Sequence, residues 1–310
     1  MAEQSLFDRM CIVGLGLMGS SLARAARVHG LAKTIVGVDA SSTVQKQATE
    51  LSLFDEIHGD VASGIKGADL VVLATPVGVM GNVAADMTAH FAVGAILTDV
   101  GSVKEAVITA VSSHVPDGVH FVPGHPIAGT EQSGPGAGFA ELFDGRWCIL
   151  TPLDGTDEAA LEKLIAFWNG CGSQVEIMEQ KHHDLVLAIT SHVPHLIAYN
   201  IVGTAADLEG VTQQEVIKYS AGGFRDFTRI AASDPTMWRD VFLSNKDAVL
   251  EMLGRFSEDL TALQRAIRWG DGDALHKLFS HTRDIRRGII DAGQETDEPD
   301  FGRRHDQEDD

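Results

Sequence analysis

Histidine is the side chain whose ordinary pKa lets it take or give a proton near neutral pH. The first residue to weigh is therefore His125, set in Pro123-Gly124-His125-Pro126-Ile127-Ala128-Gly129-Thr130. Prolines on both sides, with glycines close by, make a poor helix and a poor central strand. The stretch reads as a shaped loop that presents an imidazole. A histidine base also needs a partner that orients its ring or shares the proton. Ser102, in Asp99-Val100-Gly101-Ser102-Val103-Lys104, offers a hydroxyl just past an apolar run and would face the same crevice.

A second group of residues suits a dinucleotide. Gly14-Leu15-Gly16-Leu17-Met18-Gly19 follows a strand-like run and opens a helix, the context that gives the GxGxxG pattern its meaning. The first glycine permits the tight turn, the second lets the backbone approach a pyrophosphate, and the third lets helix and strand pack. Free amides at the helix start then face the phosphates. Asp39 ends the second strand, twenty residues past Gly19. A carboxylate there accepts from the ribose hydroxyls and repels a 2′-phosphate, so NAD is favoured over NADP. Thr75 and Pro76 end the third strand, where ligands bind in open α/β sheets. They serve either the cofactor ribose or packing. Asp99 and Gly101 end the fourth strand and are placed with the cofactor positions.

The elements that must hold these groups alternate. Short apolar runs at 10–13, 34–39, 68–75, 95–99, 120–123, 147–151 and 174–178 read as strands, with helices over 18–29, 44–50, 76–90, 103–111 and 157–170. That order predicts a doubly wound, mostly parallel Rossmann-like sheet. Past residue 180 the strands stop, and 181–204, 213–220, 235–271 and 273–290 read as helices. The expected organisation is an NAD-binding domain over 1–180, an all-α domain over 181–292, and an acidic, disordered tail over 293–310. Residues 186–202 are apolar nearly all round, which predicts burial on every side and a homodimer through the helical half.

Composition excludes several classes. The chain has 310 residues, 44% of them hydrophobic, and a formal net charge of −20. Nine acidic groups lie in the last twenty residues. Such a balance argues against nucleic acid and against an anionic membrane surface. No apolar run is seen to reach the ~18 residues of a membrane span, and the polar N-terminus lacks a signal-peptide core. Cys11, Cys148 and Cys171 are far apart and read as reduced thiols of a cytoplasmic protein.

These motifs together resemble the prephenate and arogenate dehydrogenases of tyrosine biosynthesis. The resemblance rests on the glycine motif with Ser20-Ser21, on Asp99 to Lys104, and on Gly124 to Gly134. It continues in Thr190-Ser191-His192-Val193-Pro194-His195 and from Gly223 to Trp238. It implies an NAD-dependent oxidative decarboxylation of a cyclohexadienol. His125 would accept the hydroxyl proton and Ser102 would contact the same hydroxyl. Arg229 matches the family arginine that grips a substrate carboxylate, as a planar guanidinium does well. Arg225, four residues earlier, either joins it or pairs with a neighbouring acid. By the same resemblance His195 lies in the crevice and His183 helps to close it. Thr130 and Glu131 touch the substrate side chain and gate the pocket with Asp226. Trp238 lines the entrance or belongs to the core. Prephenate, arogenate or both would be substrates.

Other readings compete. His192 and His195 share a helix face and could hold a metal, but no HExxH-type motif accompanies them; no metal site is assigned. A β-hydroxy acid dehydrogenase would share both halves, yet would rely on a lysine in the helical domain. A non-catalytic NAD sensor would have no use for His125, Ser102 and Arg229 together.

Overall fold

Val, Ile and Leu at adjacent positions cannot show a single wet face, so they form strands covered on both sides. The computed structural model, which describes residues 5–212 and 222–291, places six strands in one parallel sheet, and β1, β2, β4 and β5 are of this kind. They are β1 (Phe7–Val13), β2 (Ala32–Val38), β3 (Glu56–His58), β4 (Leu70–Leu73), β5 (Ile96–Asp99) and β6 (His120–Phe121), in the order β3-β2-β1-β4-β5-β6. Helices α1 (Leu17–Val28) and α2 (Ser42–Glu50) precede the short α3 (Val61–Gly64), followed by α4 (Met80–Met87), α5 (Glu105–Val111) and α6 (Glu158–Gly170). One face of the sheet packs Leu22, Ala25, Phe167 and Trp168. The other packs Met80, Ala84, Val107 and Val111. The strand order reverses between β1 and β4, and the crevice at such a switch point is where a nucleotide binds.

The expected continuation of this sheet is corrected. The strands read at 147–151 and 174–178 lie in a second sheet of three strands, β7 (Gly124–Pro126), β8 (Trp147–Leu150) and β9 (Gln174–Ile177). His125, read as part of a loop, stands in β7, opposite Ile149 of β8 and antiparallel to it. Proline lacks an amide proton, which is tolerated at the end of an edge strand, and β7 is an edge.

The helical part comprises α7 (Gln180–Leu187), α8 (Val193–Thr212), α9 (Gly222–Thr228), α10 (Pro235–Ser244), α11 (Lys246–Trp269) and α12 (Gly272–Asp291). A wide π turn, Ala188–His192, joins α7 to α8. Pro194 explains it: a proline near a helix start cannot donate to the preceding turn, and the widened turn absorbs its ring. Asp234 accepts from the amide of Met237 and Pro235 follows it, a strong start for α10. The helix read at 213–220 and the tail at 293–310 lie outside the described residues.

By compactness the chain divides into a unit ending at Met252 and a second beginning at Leu253, inside α11. Residue 180, where the strands give way to helices, lies within the first unit. There α10 packs on the 3-10 turn Val77–Val79, and α7 packs on α5. A second correction concerns hydropathy. The continuous helical run Gln180–Asp207 has a window of mean hydropathy 1.5, long and apolar enough by length and composition to span a bilayer. Only 28% of that window is buried within the chain. The stretch does carry buried polar groups, His183, Asp184 and His192, which bind other parts of the same unit.

Candidate active site

The glycine loop shows which of its positions are closed and which is open. Gly14 has φ +101°, and a Cβ there would meet the Ala74 carbonyl oxygen at 2.6 Å. At Gly19 a Cβ would lie 2.0 Å from the Gly14 oxygen. Gly16 has nothing within 4 Å of that position. Two glycines therefore serve packing, and the middle one leaves its surface clear for a ligand. Asp39 supports the loop: Oδ2 accepts from the amide of Leu15 at 3.0 Å and Oδ1 from that of Ser41 at 2.9 Å. Each oxygen keeps a lone pair for a ribose hydroxyl. Across the switch point, Thr75 Oγ1 is buried without a hydrogen-bond partner in the protein. The residues fit a dinucleotide: a clear glycine, an acid with lone pairs to spare and an orphan hydroxyl lie at the glycine loop and the strand end beside it. Leu17 and Met18 open α1 beside it.

Behind β7 lies a set of charges that sequence reading assigned differently or passed over. Asp99 and Lys104 are fully buried and paired with each other. Lys104 Nζ also donates to the Gly124 carbonyl at 2.6 Å. Asp99 accepts from the amides of Gly101 at 2.8 Å and Gly124 at 3.2 Å. The Asp99 carboxylate, expected with the cofactor positions, is therefore committed to fixing the loop after β5 and the first residue of β7. Gly101 allows this close approach, since a Cβ there would lie 2.9 Å from Asp99 Oδ2. Lys104 stood in the quoted motif without a role, because a lysine in sequence reads as surface.

His125 is 7% exposed. Its Nδ1 lies 2.8 Å from His183 Nε2, with the rings edge to face. His183 Nδ1 lies 2.7 Å from Asp184 Oδ1. The Asp184 carboxylate further accepts from the amides of Lys104 at 2.8 Å and Glu105 at 2.9 Å, so it ties α7 to the start of α5. Burial lowers the His125 pKa well below the usual histidine value, and His183, Lys104 and His192 push it the same way. Burial likewise lowers His183, against the pull of Asp184.

His192 continues the row. Asn245 Nδ2 donates to the Asp184 carbonyl at 2.8 Å and lies 3.1 Å from His192 Nδ1. The carbonyl only accepts, so the Asn245 amide is the donor and His192 carries its own proton on Nε2. That nitrogen is buried and makes no hydrogen bond of good geometry among the described residues, its polar neighbour being the Ser102 backbone. Burial brings His192 down to about 4, while Asp184 and the Ser102 backbone pull the other way. Neither Asp184 nor Asn245 had a signal in sequence that pointed across 80 or 53 residues to its partner.

The outer end of the row is more open. His195 Nδ1 donates to the Ser191 carbonyl at 2.8 Å and its ring stacks on Trp238 at 3.7 Å. Burial, then Arg229, lowers its pKa below the ordinary value against the Ser191 bond. Arg229 Nη1 bonds Glu131 Oε2 at 2.9 Å. Glu131, Arg229, His195 and Trp238 are thus brought together. Trp238 is also core, packed with Val103 and Val241, which seats the loop carrying half-buried Ser102 against α10. Thr130 is half-buried and its hydroxyl accepts from the amide of Gln132. Arg225 is exposed and paired with Asp226, outside this cluster. Among the described residues no group of three or more potential ligands gathers for a metal ion; His192 turns to Asn245 and His195 to Trp238.

Comparison with known proteins finds matches along most of the chain. Residues 22–177 match the family described as prephenate dehydrogenase, nucleotide-binding domain, and residues 179–281 match prephenate dehydrogenase, dimerization domain. A cyclohexadienyl dehydrogenase of Zymomonas mobilis is 42% identical over 92% of this chain and 97% of its own length. A prephenate dehydrogenase of Bacillus subtilis is 34% identical over 91% of this chain and 76% of its own. Among solved structures, a prephenate dehydrogenase from A. aeolicus in complex with hydroxyphenyl propionate and NAD+ superposes with a TM-score of 0.85. It is 33% identical, covering 93% of this chain and 100% of that one.

Proposed function

Because the chain belongs to the prephenate dehydrogenase family, we propose that it catalyses the NAD-dependent oxidative decarboxylation of prephenate to 4-hydroxyphenylpyruvate, and of arogenate to tyrosine where that substrate is offered. Bound NAD supplies the hydride acceptor. The chain's own groups supply the rest. His125 takes the proton of the carbinol hydroxyl, and Ser102 contacts the same oxygen. Arg229 holds a substrate carboxylate, for which Glu131 is its partner in the free protein. Loss of carbon dioxide makes the ring aromatic, so the reaction needs no further electrophile. The observation that carries this reading is His125 itself. It is a buried imidazole with one nitrogen bonded to His183, in a chain whose relatives are named for this chemistry over nearly its full length. The lowered pKa of His125 supports it, because such a base stays unprotonated at working pH.

The apolar surface left on Gln180–Asp207 supports a homodimer formed through the helical part. Three buried free thiols support a reducing, cytoplasmic setting.

The test is direct. Purified protein given prephenate and NAD is expected to produce NADH absorbance, and arogenate is run beside it. His125→Asn should reduce turnover by about 100-fold or more while calorimetry finds NAD binding intact. Flat traces with both substrates would overturn the reading, and an undiminished His125→Asn variant would overturn the base.

A further inference from the structure

A neutral imidazole carries its proton on one of two nitrogens, and only the bare nitrogen acts as a base. In His125 the choice is dictated by groups behind it. Asp184 is a carboxylate and accepts only, so the proton between it and His183 belongs to His183 Nδ1. Neutral His183 then presents a bare Nε2, 2.8 Å from His125 Nδ1. His125 must donate there, which leaves its Nε2 bare. We propose that His183 and Asp184 are positioning residues that hold His125 in its Nδ1–H form, with Nε2 open to the substrate hydroxyl. The inference rests on His125 being the base.

The carboxylate at the end of the chain is well anchored. It accepts from two backbone amides, those of Lys104 and Glu105, and the Asp184 carbonyl is held by Asn245. Asp184 therefore cannot turn away from His183 without leaving amides unpaired, which is costly in a buried site. The orientation passes inward through two rings, as a carboxylate orients the histidine of a hydrolase triad.

The same chain serves the charge that catalysis creates. When the hydroxyl gives its proton to His125 Nε2, the O–H electron pair stays on the substrate oxygen and enters the new carbonyl, while the C–H pair departs as hydride to the nicotinamide. His125 is then an imidazolium in a buried place. Lys104, from the loop after β5, and His192, from the π turn, both oppose that charge. Asp99 is paired with Lys104. Asp184, reached through His183, is the anion aligned with the His125 proton.

Two-bond nitrogen–proton correlation spectra of the full-length protein, labelled with 15N-histidine, report which ring nitrogen carries the proton. The wild type should show His125 protonated on Nδ1 alone. His183→Leu removes the acceptor and should move the proton to Nε2, with kcat down on the order of 100-fold and NAD affinity kept. Asp184→Asn retains an oxygen for His183 but no charge. It should preserve the tautomer, lower kcat, and shift the acid limb of the kcat profile to lower pH, because the imidazolium has lost its counter-charge. A wild-type spectrum with the proton on His125 Nε2 would overturn the proposal, even should the variants fold poorly. So would unchanged kcat and pH profile in both variants. Wild-type inactivity on prephenate and arogenate would strike the enzymatic reading instead, and the spectra would still decide the tautomer.

Discussion

The row His125, His183, His192 consists of imidazoles kept neutral by burial, and this has a cost that depends on pH. In an unfolded chain each histidine takes its proton near pH 6.5. In the folded protein His192 takes it at about 4, and His125 and His183 also below the ordinary value. Between those pH values the unfolded chain binds more protons than the folded one. Stability is therefore full above about pH 6.5 and is lost as the pH falls towards about 4. Each such group contributes a slope of about 1.4 kcal/mol per pH unit in that window. His192→Gln should flatten the slope by roughly that amount, read from urea unfolding at a series of pH values from about 4.5 to 6.5. An unaltered slope would mean that folded His192 is already charged there. Glutamine still offers Asn245 an oxygen, so the substitution removes the titrating group and keeps that hydrogen bond.

At the scale of elements, what positions His125 is the fastening of β7 to β5. Two short strands from different sheets are held by one buried ion pair, with Lys104 reaching the Gly124 carbonyl and Asp99 its amide. Breaking a buried pair from one side leaves an uncompensated charge, which costs about 3–5 kcal/mol. Lys104→Met should lose that much in urea unfolding. The double variant Lys104→Met/Asp99→Asn should recover part of it, because the stranded charge is gone and an oxygen remains for an amide. A single variant as stable as wild type would show that the pair does not hold the strands. This fastening also marks where sequence ceases to be readable. The turn at Gly14 and the packing at Gly19 depend on neighbours a few residues away, and their types announce the loop. Ile149, the partner that makes a strand of His125, is 24 residues on. Nothing local distinguishes an edge strand flanked by prolines from a loop. Lys104 and Asp184 show the same limit from the side of charge: their types read as surface, and only the assembled fold shows them paired inside. His125 and Ser102 stood out by residue type and setting and Arg229 by the resemblance, because each lies inside a whole motif, whereas the buried groups bonded around His125 are scattered between motifs.

The molecule as a whole leaves apolar surface where a soluble chain would cover it. Ile189 is 47% exposed and Ile201 39% exposed on the helical run that carries His183 and His195. In the second unit Trp269 is 74% exposed and Phe279 56%. Single exposed apolar residues are ordinary, but a run of them on helices whose window is only 28% buried calls for a cover. A bilayer is a poor cover for α7 and the π turn, because buried polar bonds join Asp184 to the start of α5 and to Asn245 at the end of α10, and His192 to the same Asn245. A second copy of the chain is the better one. Apolar area removed from water is worth about 25 cal/mol per Å², and stable interfaces bury roughly 1,200–2,000 Å² in all. Light scattering on the size-exclusion peak should therefore give twice the chain mass of 33.2 kDa at micromolar concentration. Ile189→Glu, which places a charge on that surface and touches none of the histidine contacts, should shift the peak towards the monomer. Turnover should fall with dimer content if copies support one another's helices. A wild-type monomer, or a variant that stays wholly dimeric, would place the contact elsewhere.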